Sequence, residues 1–156
     1  MVRRRRPADL AECVTALAEV HRLDGYPTRW PVDPAGWLSP DPLLAAWVAV
    51  EDAAVLGHVV LHGNAGPIAE RQPASVSRLF VRPGARGRRL GEALLATATE
   101  YAADRNLGLM LEVVEEDRSA AIALYERLGW RRAGHRTADW QTPAGVRPQL
   151  RQYLLP

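Results

Sequence analysis

An arginine-rich turn between a strand and a helix is the first segment whose residue types suggest chemistry. A strand is predicted to end at Val81, Pro83-Gly84 follows it, and a helix is predicted to begin near Arg89. A helix N-terminus presents unpaired N–H groups and about half a positive charge, and glycine lets an anion approach the backbone closely. Four arginines fall within eight residues here, namely Arg82, Arg86, Arg88 and Arg89. The segment predicts a phosphate site, and a solvated basic loop is the alternative.

A second segment places a tyrosine on a helix that follows an apolar strand. The strand Leu107–Val114 leads through an acidic turn into a predicted helix, Ser119–Leu128, which carries Tyr125. Gly129 is expected to end this helix in a left-handed conformation. Taken alone, Tyr125 would be an ordinary half-buried helix residue.

Together, the two segments resemble the GNAT family of acyl-CoA-dependent N-acyltransferases. The family's first signature is Arg/Gln-x-x-Gly-x-Gly/Ala before a helix, and its second is Ala-x-x-Leu-Tyr-x-x-x-Gly-Phe, matched here from Ala121 to Trp130. The resemblance is motif-specific over 76–130. It implies one α/β (α+β) domain, 1–156, with a central mixed, mostly antiparallel twisted sheet of six to seven strands and about four helices on its faces. It also implies acetyl-CoA as the cosubstrate.

The resemblance assigns the cofactor site residue by residue. Arg86 starts the phosphate turn and Gly91 matches its last glycine, whereas Arg89 replaces the middle glycine and should crowd the cradle. The strand around Phe80 matches the one whose main chain pairs with the pantetheine arm, and Asp117 or Arg118 replaces a family asparagine. The expected cofactor-binding residues are Leu79, Phe80, Val81, Arg86, Gly87, Arg88, Arg89, Leu90, Gly91, Glu92 and Arg118.

The resemblance also implies two catalytic residues for direct transfer from a thioester to an amine, with a backbone N–H polarising the oxyanion. Tyr125 matches the tyrosine that protonates the leaving thiolate, and a phenol with a pKa near 10 is a reasonable donor to a thiolate. Glu112 lies where the similar ribosomal-protein N-terminal acetyltransferases carry a catalytic glutamate, and is the candidate base. An exposed strand glutamate is the alternative for Glu112, and a histidine or water is the alternative for the base.

The proline- and tryptophan-rich segment 25–43 is the candidate acceptor wall. Tyr26, Trp30 and Trp37, with neighbouring aspartates at 24, 33 and 41, could hold a cationic amine. The loop 139–148 with Trp140 would supply the opposite wall. The alternative is that the tryptophans only cap the sheet. A compact pocket favours a small-molecule amine over a peptide N-terminus.

Composition excludes several other classes of protein. All twenty basic residues are arginine, so the chain has no lysine for a Schiff base, a pyridoxal phosphate site or a Walker-type phosphate loop. A single cysteine, Cys13, excludes an intrachain disulfide and zinc fingers. The net charge of +2 and the lack of a long apolar run predict neither a nucleic-acid nor a membrane partner. We expect a cytoplasmic protein without a metal site, and a homodimer stays an open alternative.

Periodicity predicts the elements that must position these residues. Apolar spacings of three and four indicate helices at 8–22 and 89–104, with a short helix near 34–38. Strands are expected at 44–50, 55–61, 76–81, 107–114, 130–136 and 149–154. The run Arg3–Arg6 is a solvated arm, an anion patch or a charged edge strand. Two rival functions remain: a non-catalytic acyl-CoA-binding domain, and a nucleic-acid-binding module using Arg3–Arg6 and Arg131-Arg132.

Overall fold

The computed structural model describes residues 1–63, 73–115 and 120–155. The strands are β1 (Val2–Arg4), β2 (Leu43–Glu51), β3 (Ala54–His62), β4 (Ala74–Val81), β5 (Leu109–Val114), β6 (Arg131–Thr137) and β7 (Gln149–Leu155). The helices are α1 (Leu10–Asp24), α2 (Pro34–Trp37), α3 (Leu90–Asp104) and α4 (Ala120–Arg127). Gly25 ends α1 at φ 72° and Gly129 follows α4 at φ 90°, both in the left-handed region that glycine adopts readily.

All seven described strands form one sheet in the order β1-β2-β3-β4-β5-β7-β6. Only β4 and β5 pair in parallel, and the other neighbours are antiparallel. The predicted mixed, mostly antiparallel sheet with four helices is therefore confirmed.

The helices cover both faces of this sheet. Leu94, Ala98 and Ile122, from α3 and α4, pack with Trp47 and Tyr153 on one face. On the other face α1 buries a stripe against the sheet, consisting of Cys13, Ala16, Leu17 and Val20. This two-sided core follows from the period of two along strands and of about 3.6 along helices.

The parallel pair β4 and β5 is joined at one end only. Ala74 pairs with Leu109 and Ser75 with Met110, and no later register pair joins these two strands. Both strands continue for several residues beyond that point, β4 to Val81 and β5 to Val114. The sheet is therefore open between them.

The arginine run near the N-terminus forms a charged edge strand, which was one of three alternatives. Arg3 pairs with Asp9 at 2.8 Å, and the Arg4 guanidinium lies 5.6 Å from the Trp47 ring centroid. Arg5 turns into the protein and donates to the Leu38 carbonyl at 2.7 Å. These three side chains are therefore held by the protein itself.

Candidate active site

Tyr125 lies on α4, next to the strand that forms one side of the opening. Its ring packs against Trp130 and Tyr153, and only 8% of the residue is exposed. The main chain folds back after α4, with the Trp130 N–H donating to the Tyr125 carbonyl at 3.0 Å. Burial raises the pKa of Tyr125, and the nearby Tyr26 phenol adds to the rise. The phenol therefore stays protonated at neutral pH and can act as an acid.

Tyr26, Trp37 and Arg78 form an aromatic and cationic cluster at the bulged part of β4. The Tyr26 and Trp37 rings meet edge to face, with centroids 6.0 Å apart. The Arg78 guanidinium stacks over Trp37 at 3.9 Å, and its Nε donates to the Trp37 carbonyl at 2.9 Å. Partial desolvation raises the pKa of the Tyr26 phenol, although 36% of the residue is exposed, and the charge of Arg78 opposes this rise. Two of the three predicted acceptor residues, Tyr26 and Trp37, thus lie together.

A β-bulge in β4 places Arg78 in this cluster. His58 pairs with Phe80 but Val60 pairs with Ser77, so two residues of β4 lie opposite one of β3. Arg78 adopts φ 53°, which costs a non-glycine residue about 1 kcal/mol or more. The His58 Nδ1 donates to the Arg78 carbonyl at 2.9 Å and holds the bulge. Sequence reasoning missed Arg78, because a positive φ at an arginine leaves no signal in one sequence.

The predicted phosphate turn has the backbone shape that an anion site needs. Gly87 and Arg89 both have positive φ, at 85° and 56°, and the turn leads directly into α3. No side chain caps the N-terminus of α3, so its first N–H groups are open to a ligand. A Cβ placed on Gly91 would come no closer than 4.0 Å to Val81. Arg89 thus takes the left-handed position of the missing glycine and leaves space beside Gly91.

The predicted arginines of this turn are not equally available to a phosphate. Arg86 forms an ion pair with Asp24, and Arg88 lies 2.8 Å from the Glu51 carboxylate. Arg89 is exposed and has no acidic partner in the part of the chain that is described. Of the three, Arg89 is therefore the free cation at this turn.

The remaining predicted cofactor residues lie around the same turn, with their side chains turned to several sides. Phe80 is buried and stacks on His58 at 5.2 Å, while Leu79, Val81 and Leu90 pack against the core beneath α3 and α4. Glu92 forms an ion pair with Arg127, which ties α3 to α4. Only main-chain groups of Phe80 can therefore contact a ligand in the opening. Arg118 lies outside the described residues.

Glu112, the candidate base, lies on β5 within an ion pair. Its carboxylate accepts two hydrogen bonds from Arg136, at 2.6 and 2.9 Å, and a third from Gln152 at 3.2 Å. The Arg136 hydrogen bonds hold the pKa of Glu112 below its usual value, although partial burial opposes them. The carboxylate is therefore ionised at neutral pH and is a weak base.

A cleft of about 520 Å³ lies between the predicted acceptor segment and the loop after β6. Its lining residues are His21, Thr28, Arg29, Trp30, Gln141, Thr142, Pro143 and Gly145. The third predicted acceptor residue, Trp30, lies in this cleft with its ring 5.4 Å from His21. Both predicted walls, from 25–43 and from 139–148, thus contribute to one cavity.

His21 is a second residue that the sequence did not single out. Its Nδ1 lies 2.7 Å from the Pro27 carbonyl, and a carbonyl only accepts, so Nδ1 carries the proton. Nε2 is then left as an acceptor in the cleft. The signal for His21 is its position in the last turn of α1, just before the proline-rich segment.

The aspartates near the aromatic residues are engaged elsewhere. Asp24 pairs with Arg86, and the Asp33 side chain accepts from the Gly36 N–H at the start of α2. These two carboxylates therefore stabilise the turn and the short helix.

Metal and membrane features are absent from the described ranges. There, no three or more His, Cys, Asp and Glu side chains are grouped so as to hold a metal ion. None of the helices in these ranges combines the length and the apolar character needed to cross a bilayer.

Comparisons with known proteins identify the family of the chain. The chain matches the acetyltransferase (GNAT) family over residues 11–130, and it belongs to this family. It is 34% identical over 97 residues to a mycothiol acetyltransferase of Rhodococcus erythropolis, a stretch covering 62% of this chain and 32% of that protein. The chain thus spans about a third of the length of that curated relative.

Two solved structures show the same fold. One is a ribosomal-protein-alanine N-acetyltransferase from Brucella melitensis, with a TM-score of 0.79, 23% identity and coverage of 99% of this chain and 98% of that one. The other is NAA60 of Arabidopsis thaliana in complex with acetyl-CoA, with a TM-score of 0.77, 18% identity and coverage of 99% and 97%. The family and the fold predicted from the two motifs are therefore confirmed.

Proposed function

We propose that the protein transfers an acetyl group from acetyl-CoA to the primary amine of a small molecule, by direct attack in a ternary complex. The observation that carries the proposal is the opening between β4 and β5, together with the uncapped N-terminus of α3 and the buried tyrosine of α4. Family membership supports the donor.

The described residues fit the donor in two places. The open N–H groups of α3 and the free charge of Arg89 suit a pyrophosphate. Beyond Ser75, the main chain of β4 has no ladder with β5, so its polar groups on that side can pair with the amides of a pantetheine arm.

Acetyl-CoA supplies the activated carbonyl as a thioester. The neutral amine nitrogen attacks the carbonyl carbon, and a main-chain N–H of β4 stabilises the oxyanion. As the carbon–sulfur bond breaks, Tyr125 donates its proton to the leaving sulfur and is later reprotonated from solvent. The proton of the resulting ammonium leaves to Glu112, to His21 or to water, and it balances the proton that Tyr125 regains, so the reaction of a neutral amine releases no net proton.

The preference for a small acceptor rests on the two predicted walls, which bound one open cleft of about 520 Å³. The lining of this cleft does not include Tyr125, Tyr26, Trp37 or Arg78. The segments 28–30 and 141–145 bound it on two sides. A protein N-terminus is the alternative acceptor.

The test measures free thiol released from acetyl-CoA in the presence of primary amines and of peptides with free N-termini. We expect release with small amines and a higher melting temperature with acetyl-CoA. Stabilisation by acetyl-CoA without thiol release from any acceptor would indicate a non-catalytic binding domain. Turnover of peptides alone would indicate an N-terminal acetyltransferase, and the absence of any thermal shift would refute the donor.

A further inference from the structure

We infer that Arg78 binds a carboxylate on the acceptor, so that the acceptors are amines that also carry a carboxylate, such as amino acids. This inference rests on the proposed function and narrows its substrate class. Arg78 would be a specificity-determining residue at the bulge of β4.

Arg78 is held in place at one end and free at the other. Its Nε donates to the Trp37 carbonyl at 2.9 Å, and its guanidinium stacks on the Trp37 ring at 3.9 Å. No carboxylate in the described ranges pairs with it, and its two terminal nitrogens have no protein partner there. The guanidinium plane is therefore fixed while its outer edge, with four N–H groups, remains to be satisfied.

A guanidinium in this position needs an anion. The side chain is partly removed from water, and burial lowers the pKa of Arg78, with only the Tyr26 phenol opposing that effect. An arginine nevertheless remains charged at any physiological pH. A half-buried charge without a counter-ion is unfavourable, and a ligand that brings one would be stabilised.

The position of Arg78 relative to the reacting groups fits an acceptor contact. Arg78 lies on β4 three residues after Ser75, where the pairing of β4 with β5 ends, and so on a strand that borders the opening. Its guanidinium stacks on Trp37, whose ring meets that of Tyr26 edge to face at 6.0 Å. An amine separated from its carboxylate by one or a few carbons could reach the thioester while Arg78 holds the carboxylate.

The charges around the acceptor side also favour an acceptor with a carboxylate. The cleft lining includes Arg29 and His21 but no carboxylate. The nearby Asp24 and Asp33 are engaged with Arg86 and with the start of α2. A dication such as a diamine would find no counter-charge in the lining of the cleft. A planar carboxylate matches the two parallel N–H groups of a guanidinium edge.

The test compares acceptors that differ only in the charged group. We would measure kcat and KM for amino acids and for their carboxamides, with diamines and peptides as further acceptors. The wild-type protein should prefer each carboxylate over its carboxamide by roughly 10- to 100-fold in kcat/KM, the factor for a charge-assisted pair. Arg78→Gln should abolish this preference, mainly through KM, and Arg78→Lys should restore part of it.

Arg105→Gln is the matched control. Arg105 also stacks on an aromatic ring, Tyr101, at 3.5 Å and donates to a backbone carbonyl, but it lies at the far end of α3. This variant should keep the wild-type preference. Stabilisation of Arg78→Gln by acetyl-CoA should also match the wild type, which shows that the donor site is intact.

The outcomes separate this inference from the proposed function. Turnover of amines without any preference for the carboxylate, or an equal preference in Arg78→Gln, would refute the inference alone. Turnover limited to peptides or diamines would refute it as well. Absence of turnover with every acceptor would refute the proposed function and the inference together.

Discussion

Replacing Tyr125 by phenylalanine should slow turnover while leaving donor binding and the fold intact. The substitution removes only the hydroxyl, and the ring can keep its contacts with Trp130 and Tyr153 at 6.1 and 6.2 Å. The lost interaction is a hydrogen bond from a neutral phenol to a developing thiolate, worth about 1.5–3 kcal/mol. We therefore expect kcat to fall by roughly 10- to 150-fold.

Stopped assays of thiol release at saturating acetyl-CoA would measure the effect, and calorimetric titration would measure donor affinity. Tyr153→Phe is the control, because Tyr153 is a buried tyrosine whose hydroxyl donates to Glu126 at 2.7 Å. That variant should lose stability but keep kcat. If Tyr125→Phe keeps kcat within about threefold of the wild type, a factor well below that of a charge-assisted hydrogen bond, Tyr125 is not the acid.

Three further predictions concern the turn, the buried histidine and the candidate base. Arg89→Gly and Arg89→Ala should both weaken acetyl-CoA binding by roughly fivefold, because both remove the charge. In urea unfolding the glycine variant should be about 1 kcal/mol more stable than the alanine variant, because φ at this residue is 56°. Equal stabilities of the two variants would contradict the strain at Arg89. Burial lowers the pKa of His58 to about 4 in the folded protein. In the unfolded chain the same histidine is protonated below about pH 6.5. Stability should therefore fall by up to about 3 kcal/mol as the pH drops from about 6.5 to 4, and urea unfolding of His58→Asn should show a flatter pH dependence. Glu112→Gln should move the rate profile to higher pH, since the amine must then lose its proton unaided, and an unchanged profile would remove Glu112 as the base.

Elements that depend on local spacing could be predicted from the sequence. The apolar stripe from Leu10 to Val20 gave α1 to within two residues at each end. Gly129 has the left-handed φ expected at the end of α4. The phosphate turn and helix α4 with Tyr125 were recognisable because their motifs are continuous in sequence.

Features that depend on distant partners could not be predicted in this way. The ion pair between Arg86 and Asp24 joins residues 62 positions apart, so the sequence could not show that this arginine is already neutralised. The bulge at Arg78 depends on how β3 and β4 align, and the cleft role of His21 depends on where two loops meet. Such contacts follow from register and packing, which a pattern within one segment does not encode.

The path from Arg5 through His58 to the bulge matters for how the protein is produced and engineered. The Nη1 of Arg5 lies 2.9 Å from His58 Nε2, and the other nitrogen of that ring holds the Arg78 carbonyl. A purification tag or a deletion that displaces the first strand would disturb this relay and loosen the bulge. Acceptor selectivity measured on such a protein would then differ from that of the unaltered chain, even though β1 is an edge strand separated from β4 by β2 and β3.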